Sequence, residues 1–469
     1  MDYEYPDYDL DLADYELGDY PYYADDYVTN EVTWTYQDLF IECVIPTLEQ
    51  GVQIVAPLLL LCLAFRLVTF TGVPVLFIHF SAMIGGLCSM YMFFEMTMLY
   101  VVFLGIVGYL VLMVLHHNHI QNKGAIVAAV LLFLLVTWEL WLTDPREWHK
   151  IRGSQMMLTM RIISLGIDMD RDTVKELPNP ITYLGYCFFV GSIIFGPWIS
   201  YEQYIQIEDT QDMNLSWLWK IIKSLISSLF CLLVSVCVSP ALSGYYFANK
   251  WLGAYRDALS FRFSHYFVSF MSESCTTVAG LGCTVNAEQH NWDLHVAKPF
   301  SIEMPRSLVD VVTNWNIPMH NFLKNYIFKS TRSLGSFPAI ILTYATSSIL
   351  HGLNFQLAAV LLSLGVYSYT EYVFRKRLSE IFSACVLAKK CVPECAHRNK
   401  ETSILVFIVN FCFGLLAVFH LAYLGVMFDS SSQTEEQGYT MDHTLSKWAN
   451  LDYASHYVVL FTFVFYKLI

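Results

Sequence analysis

Long stretches without Asp, Glu, Lys or Arg set the rhythm of this chain. The longest are Leu67–Phe94, Met96–Asn122, Leu177–Tyr201, Ser224–Asn249, Ser333–Thr370 and Thr402–Phe428; shorter ones are Gln50–Phe65, Gly124–Trp138 and Tyr453–Tyr466. About 20 apolar residues carry a helix across a bilayer. The runs therefore predict an all-α polytopic membrane protein. Ser333–Thr370 has room for two helices, or for one helix and a re-entrant piece. Several runs are too weakly apolar to face lipid on every side, so they belong inside a bundle. The expected total is about 8–11 transmembrane helices. The runs are continuous rather than alternating, which excludes a membrane β-barrel.

Polar connections separate the runs. Glu139–Glu176 is one, with Trp148, His149, Lys150 and Arg152 close together, and Glu202–Lys223 is another. Arg256–Lys329 is the longest segment without a clear span. It is dense in Trp, Pro, Asn and His and too apolar for a solvated loop, so it reads as re-entrant or amphipathic helices on or in the membrane. Arg375, Lys376, Arg377, Lys389, Lys390, Arg398 and Lys400 cluster between two runs. The positive-inside bias puts that loop on the cytosolic side.

Composition agrees with a membrane body. Of 469 residues, 55% are hydrophobic and 14% charged, against about 25% charged in a soluble domain. The formal charge of −14 is concentrated at one end: residues 1–36 hold eleven acids, nine tyrosines and no Lys or Arg. The remainder has 30 acids against 27 bases. Two regions follow, an acidic, Tyr-rich disordered tail over 1–36 and a nearly neutral membrane-embedded body over 37–469. No basic surplus exists to meet phosphates, so nucleic acid is not an expected partner. The lipid bilayer is.

Cys62, Cys88, Cys187, Cys231, Cys237 and Cys412 lie in apolar runs and read as small buried hydrophobes. Cys391, Cys395 and His397 fall within seven residues of the basic loop. They could begin a zinc site, but a fourth ligand is needed. Reduced or lipidated loop thiols are the simpler reading, and no bound metal is expected.

An ionisable residue deep in a membrane run is a functional hypothesis by default. His351 lies near the middle of Ser333–Thr370, with Ser347 one helical turn before it and Gly352 after it. A neutral imidazole there could take a proton from a hydroxyl. His79, His116, His117 and His420 also sit in apolar runs, so a histidine bonded inside the bundle is an equal reading. Asn316 stands two residues before Pro318. That position suits a helix N-cap, and its amide could otherwise polarise a carbonyl. The chain has no G-x-S-x-G, P-loop, G-x-G-x-x-G or H-E-x-x-H motif.

Longer blocks carry a resemblance. Trp148–Met156, Phe195–Ser200, Lys298–Pro299, Glu303–Ser307, Trp315–Met319, Asn325–Phe328, Leu350–Gly352, Arg375–Leu378 and Thr434–Tyr439 occur in one order. Together they resemble the membrane-bound O-acyltransferases, and within them the branch that acylates Wnt proteins. The resemblance implies an enzyme of the endoplasmic reticulum membrane that moves palmitoleoyl from palmitoleoyl-CoA to a serine hydroxyl of Wnt proteins, with no permanently bound cofactor. It implies His351 and Asn316 as the catalytic pair. Trp315, Tyr326, Ser347 and Arg306 become substrate-binding candidates, and cytosolic basic residues become candidates for the coenzyme A phosphates. The remaining alternatives are a lipid or other small acceptor, a transporter, and a non-catalytic scaffold.

Overall fold

The structure, a computed structural model, describes residues 35–209, 213–242, 249–286, 289–392, 394–428 and 441–469. The acidic tail up to residue 34 and the Thr434–Tyr439 block lie outside the described residues.

The body is built of helices. In chain order they are α1 (Tyr36–Thr69), α2 (Val75–Phe94), α3 (Met98–His117), α4 (Lys123–Leu142), α5 (Pro145–Asp170), α6 (Pro180–Cys187), α7 (Leu215–Ala241) and α8 (Lys250–Val278). A two-stranded antiparallel hairpin follows, β1 (Cys283–Asn286) with β2 (Gln289–Trp292), Cys283 opposite Trp292. Then come a one-turn helix (Pro299–Glu303), α9 (Leu308–Trp315), α10 (Ile317–Phe322), α11 (Ser336–Leu350), α12 (Phe355–Phe382), α13 (Ile404–Gly425), α14 (Met441–Asn450) and α15 (Ala454–Leu468). Six apolar helical stretches are long enough to cross a membrane. One of them, Val75–His117, is divided by a tight turn over Glu95–Thr97 into α2 and α3, 20 residues each. At ~1.5 Å per residue each half spans ~30 Å, one bilayer core. The 15-residue α11 and α15 are shorter apolar helices. The protein is a multi-pass, all-α membrane protein.

Three segments depart from the pattern of runs. Leu177–Tyr201, apolar as it is, is not a spanning helix. It holds only the eight-residue α6 and then a buried irregular chain through a cis Gly196–Pro197 bond. Non-helical backbone survives at membrane depth only where protein groups satisfy it. The fully buried Arg161 of α5 does this, donating from Nη1 to the carbonyls of Tyr186 (3.1 Å) and Cys187 (2.7 Å) and from Nη2 to that of Ser192 (3.1 Å). Ser154 Oγ donates to Ile193 O (2.7 Å) and Thr276 Oγ1 to Gly191 O (2.9 Å).

Glu139–Glu176, expected as a connection, is mostly the 26-residue α5, which packs against α4. Arg256–Lys329, expected as re-entrant or amphipathic helices on or in the membrane, begins inside the 29-residue α8. Its charge and hydroxyl content hid it from an apolar count. α7 meets α8 through small hydroxyl residues: Ser228 Oγ donates to Phe267 O (2.9 Å), Ser235 to Ser260 O (2.8 Å) and Ser239 to Arg256 O (2.9 Å). Such residues let backbones approach and act as interhelical glue in lipid. The buried Glu273 of α8 is matched by Lys220 Nζ at 2.6 Å and by the Val296 N–H at 2.8 Å. An apolar residue would leave Lys220 buried and unpaired.

The cysteine expectation also needs correction. Cys237 is not a free buried thiol; it is disulfide-bonded to Cys43 at the start of α1. Cys88 and Cys412 are exposed on apolar helices rather than buried. Cys62, Cys187 and Cys231 are buried.

Candidate functional site

His351 stands at the end of α11, where the chain leaves one helix and turns into the next. Its N–H still reaches back to Ser347 O (3.2 Å), so the buried Ser347 precedes it by one turn on the same face. Gly352 then takes φ +94°, a conformation open to Gly and costly for other residues. Glu139 of α4 occupies the space a Cβ would need: its Oε1 lies 2.9 Å from that position, and Arg152 Cδ lies 3.3 Å away. Both Glu139 oxygens accept the Leu353 N–H at 2.9 Å. Asn354 caps α12, its Oδ1 accepting from Leu357 N. The turn carrying His351 is thus pinned on both sides, and the imidazole is presented at a helix junction rather than on a helix wall.

Asn316 is the N-cap of α10. Its Oδ1 accepts the Met319 N–H at 3.0 Å, as the Asn-x-Pro spacing suggests. Because the amide oxygen is committed to the cap, the Nδ2 hydrogens are what Asn316 has to offer a substrate. Trp315, just before it, is stacked on His265 of α8, with ring centroids 4.6 Å apart and planes at 14°. His265 Nε2 lies 2.9 Å from Trp315 O. A carbonyl only accepts, so Nε2 carries the proton and Nδ1 keeps its lone pair. Arg152 and His265 lie close enough to act electrostatically on His351. His265 therefore links the Trp315–Asn316 segment to the histidine turn. The same α8 holds the segment from behind, where Arg262 grips Glu303 with Nε–Oε1 2.8 Å and Nη2–Oε2 3.0 Å, and Tyr266 Oη donates to Glu303 at 2.8 Å.

Tyr326 lies on the π-helical turn Leu323–Phe328, which packs against α11. Its hydroxyl donates to Asp168 of α5 at 3.0 Å, and its ring meets Trp198 and Phe322. Its polar end is thereby committed to the protein. Arg306 is drawn elsewhere. Its guanidinium donates to Leu387 O (3.1 Å) and Cys385 O (2.8 Å) and pairs with Glu401 (3.1 Å), so it clamps the basic loop. Arg375, which lies in α12 rather than in the loop expected from the sequence, is also consumed, by Val386 O (2.7 Å), Leu387 O (3.1 Å), Arg306 O (2.6 Å), Glu371 (3.0 Å) and Asn410 (2.7 Å). Lys389, Lys390 and Arg398 remain exposed.

Of the other membrane histidines, His79 is bonded to Tyr204 and Glu208, and His420 to Ser455. Both are satisfied within the bundle.

Three residues beside His351 escaped the motif reading as site residues: Glu139, Gln155 and His265. A cleft next to the His351 turn is lined by Glu139, Arg152, Gln155, Ile349 and Gly352. Gln155 is 1% exposed, and neither its Oε1 nor its Nε2 has a partner among the described residues. A buried amide left open in this way is a ready contact for a polar group of a substrate. The sequence signal was Gln155 within Trp148–Met156; His265, in a segment read as re-entrant or amphipathic helices, gave none.

Residues 87–392 match the family model "MBOAT, membrane-bound O-acyltransferase family". The chain is 44% identical to the Homo sapiens protein-serine O-palmitoleoyltransferase porcupine, over 92% of this chain and 98% of that one. It is 34% identical to the Drosophila melanogaster protein of the same name, over 91% and 86%. Lysophospholipid acyltransferase 1 of Arabidopsis thaliana is 22% identical, over 43% and 52%. With its histidine turn set between apolar helices, this chain belongs to the membrane-bound O-acyltransferase family.

Proposed function

We propose that the protein is a protein-serine O-palmitoleoyltransferase acting in the endoplasmic reticulum membrane, with palmitoleoyl-CoA as donor and a serine of a Wnt protein as acceptor. The relatives that match nearly the whole chain carry that activity in their names, whereas the lysophospholipid enzyme matches less than half of it. The observation that carries the chemical reading is the placement of His351 at the α11–α12 junction beside Arg152, His265 and the Gln155 cleft.

In the proposed reaction His351 accepts the serine proton as the serine oxygen attacks the thioester carbonyl. The C–S bond breaks, coenzyme A leaves as thiolate, and the histidine returns the proton to it. Asn316 Nδ2 donates to the carbonyl oxygen as negative charge builds there; loss of one such donor typically slows turnover ~10²–10³-fold. Gln155 meets a polar group of the donor. Holding both substrates at one turn makes the step effectively intramolecular. The acceptor hydroxyl and the acyl chain reach this turn from opposite sides of the bilayer and meet inside it.

The test is mass spectrometry of a Wnt peptide incubated with purified protein and palmitoleoyl-CoA. Serine acylation is expected for the wild type and none for His351→Ala of equal monodispersity. Full turnover by folded His351→Ala would remove the general base from this scheme, and acylation of a lysolipid in place of the peptide would move the acceptor.

A further inference from the structure

We propose that Cys385, Cys391, Cys395 and His397 form a structural zinc site that locks the basic loop after α12. The sequence offered three of these residues and lacked a fourth. The fold supplies it by bringing Cys385, at the end of α12, back onto the Cys391–His397 stretch. One ligand atom from each residue lies within 4.8 Å of all the others. Cys385 Sγ is 3.4 Å from Cys395 Sγ and 3.8 Å from His397 Nδ1, and Cys391 Sγ is 3.7 Å from the same nitrogen. Ligands at ~2.3 Å for sulfur and ~2.0 Å for nitrogen around a tetrahedral ion lie ~3.5–3.8 Å from one another. Three of the cluster's six edges, at 3.4–3.8 Å, are already close to those lengths, and all six are within 4.8 Å.

The surrounding hydrogen bonds prepare the nitrogen. Ser379 Oγ donates its only proton to Ala384 O at 2.7 Å. It stands 2.9 Å from His397 Nε2, so it accepts there, and Nε2 must carry the proton. Nδ1 is left with its lone pair aimed at the three sulfurs. Orientation of a ligand histidine through its second nitrogen is characteristic of metal sites. Three thiolates and one imidazole around a divalent ion carry a charge of −1. Lys400 Nζ, 3.4 Å from Cys395 Sγ and also bonded to Cys395 O, offsets it. Three sulfurs and one nitrogen in a closed tetrahedron suit zinc, and no position is left open for substrate.

The site has a consequence for the reaction centre. The carbonyls of Cys385 and Leu387 anchor Arg306, the carbonyl of Ala388 receives Ser307 Oγ at 2.9 Å, and Glu371 accepts the Leu308 N–H at 2.8 Å. Ser307 caps α9, which leads directly to Trp315 and Asn316. A loop fixed by zinc thus holds the base of the arm that ends in Asn316.

Full-length protein, purified in detergent without a polyhistidine tag, is assayed for metal by elemental mass spectrometry. Zinc equimolar with the chain is expected. Cys385→Ser and Cys395→Ser should lose it, and Cys88→Ser should keep it. To separate loss of metal from loss of fold in the cysteine variants, the wild type is also examined by zinc X-ray absorption. Three sulfurs and one nitrogen in the first shell support the site. Folded wild type free of zinc overturns the proposal, as does zinc retained in folded Cys385→Ser or a first shell without sulfur. Peptide mapping that finds Cys385 and Cys395 joined as a disulfide, or acylated, in the bulk of the wild-type protein also overturns it.

Discussion

Glu139 accepts the backbone N–H of Leu353 on both carboxylate oxygens, each at 2.9 Å, two residues beyond His351 and across 214 positions of sequence. A side chain of α4 thereby sets the direction of the α11–α12 turn. Glu139→Ala should remove the acceptor that orients this turn, at little cost to folding because the Leu353 N–H lies at an exposed position. The expected result is a fall in kcat of roughly ten- to a hundredfold with little change in thermal stability, read by acyl-transfer kinetics. Glu139→Gln keeps an acceptor for Leu353 and should recover most of the loss.

Gly352→Ala tests the same turn from the other side. The new methyl would stand 2.9 Å from Glu139 Oε1 at a residue with φ +94°. Backbone strain of about 1–3 kcal/mol should displace His351, and turnover should fall more than acyl-CoA binding, measured with a non-hydrolysable analogue.

Asn316 has two jobs that substitution can separate. Asn316→Asp keeps an oxygen for the Met319 N–H but removes the Nδ2 donor. It should fold normally and lose about 10²–10³ in kcat. Asn316→Ala loses the cap as well, worth about 1 kcal/mol, so its melting temperature should also drop. Equal kcat for wild type and Asn316→Asp would leave the residue a cap alone.

Gln155→Leu removes an amide without known protein partners. A contact to the acyl donor predicts a several-fold rise in KM for palmitoleoyl-CoA with stability retained or improved. An unchanged KM would remove the donor contact from the scheme.

Arg161→Met should be far more damaging than its distance from the chemistry suggests. The carbonyls of Tyr186 and Cys187 at the end of α6, and that of Ser192 in the irregular chain beyond it, lose their donor. A destabilisation of about 1–3 kcal/mol for each buried carbonyl left unsatisfied and poor recovery of monodisperse protein are expected, checked by thermal unfolding in detergent.

The runs, the positive loop and the motif blocks were legible along the chain because burial in lipid imposes long apolar segments, and because a reaction centre needs polar residues that such segments otherwise exclude. His351 stood out as an ionisable residue in an apolar run, and Asn316 through its spacing from Pro318. What fails in such a reading is any segment whose polarity is satisfied from a distance. Leu177–Tyr201 reads as a span because its carbonyls do not announce that Arg161 will bond them. α8 reads as a re-entrant or amphipathic segment because its polar residues find partners far away in the chain: Ser260 on Ser235 of α7, Glu273 on Lys220 and the Val296 N–H, and Thr276 on Gly191.

By itself, then, the sequence determined that this chain is a helical membrane body with a histidine deep in an apolar run. Tertiary structure alone decided what surrounds that histidine. Glu139, Arg152, Gln155 and His265 come from α4, α5 and α8, and Cys385 joins Cys391, Cys395 and His397 only when α12 ends where it does. Apolar periodicity is a local property, written in consecutive residues. Partnership between polar groups in a low-dielectric interior is not local, since only the packed bundle brings each donor to its acceptor.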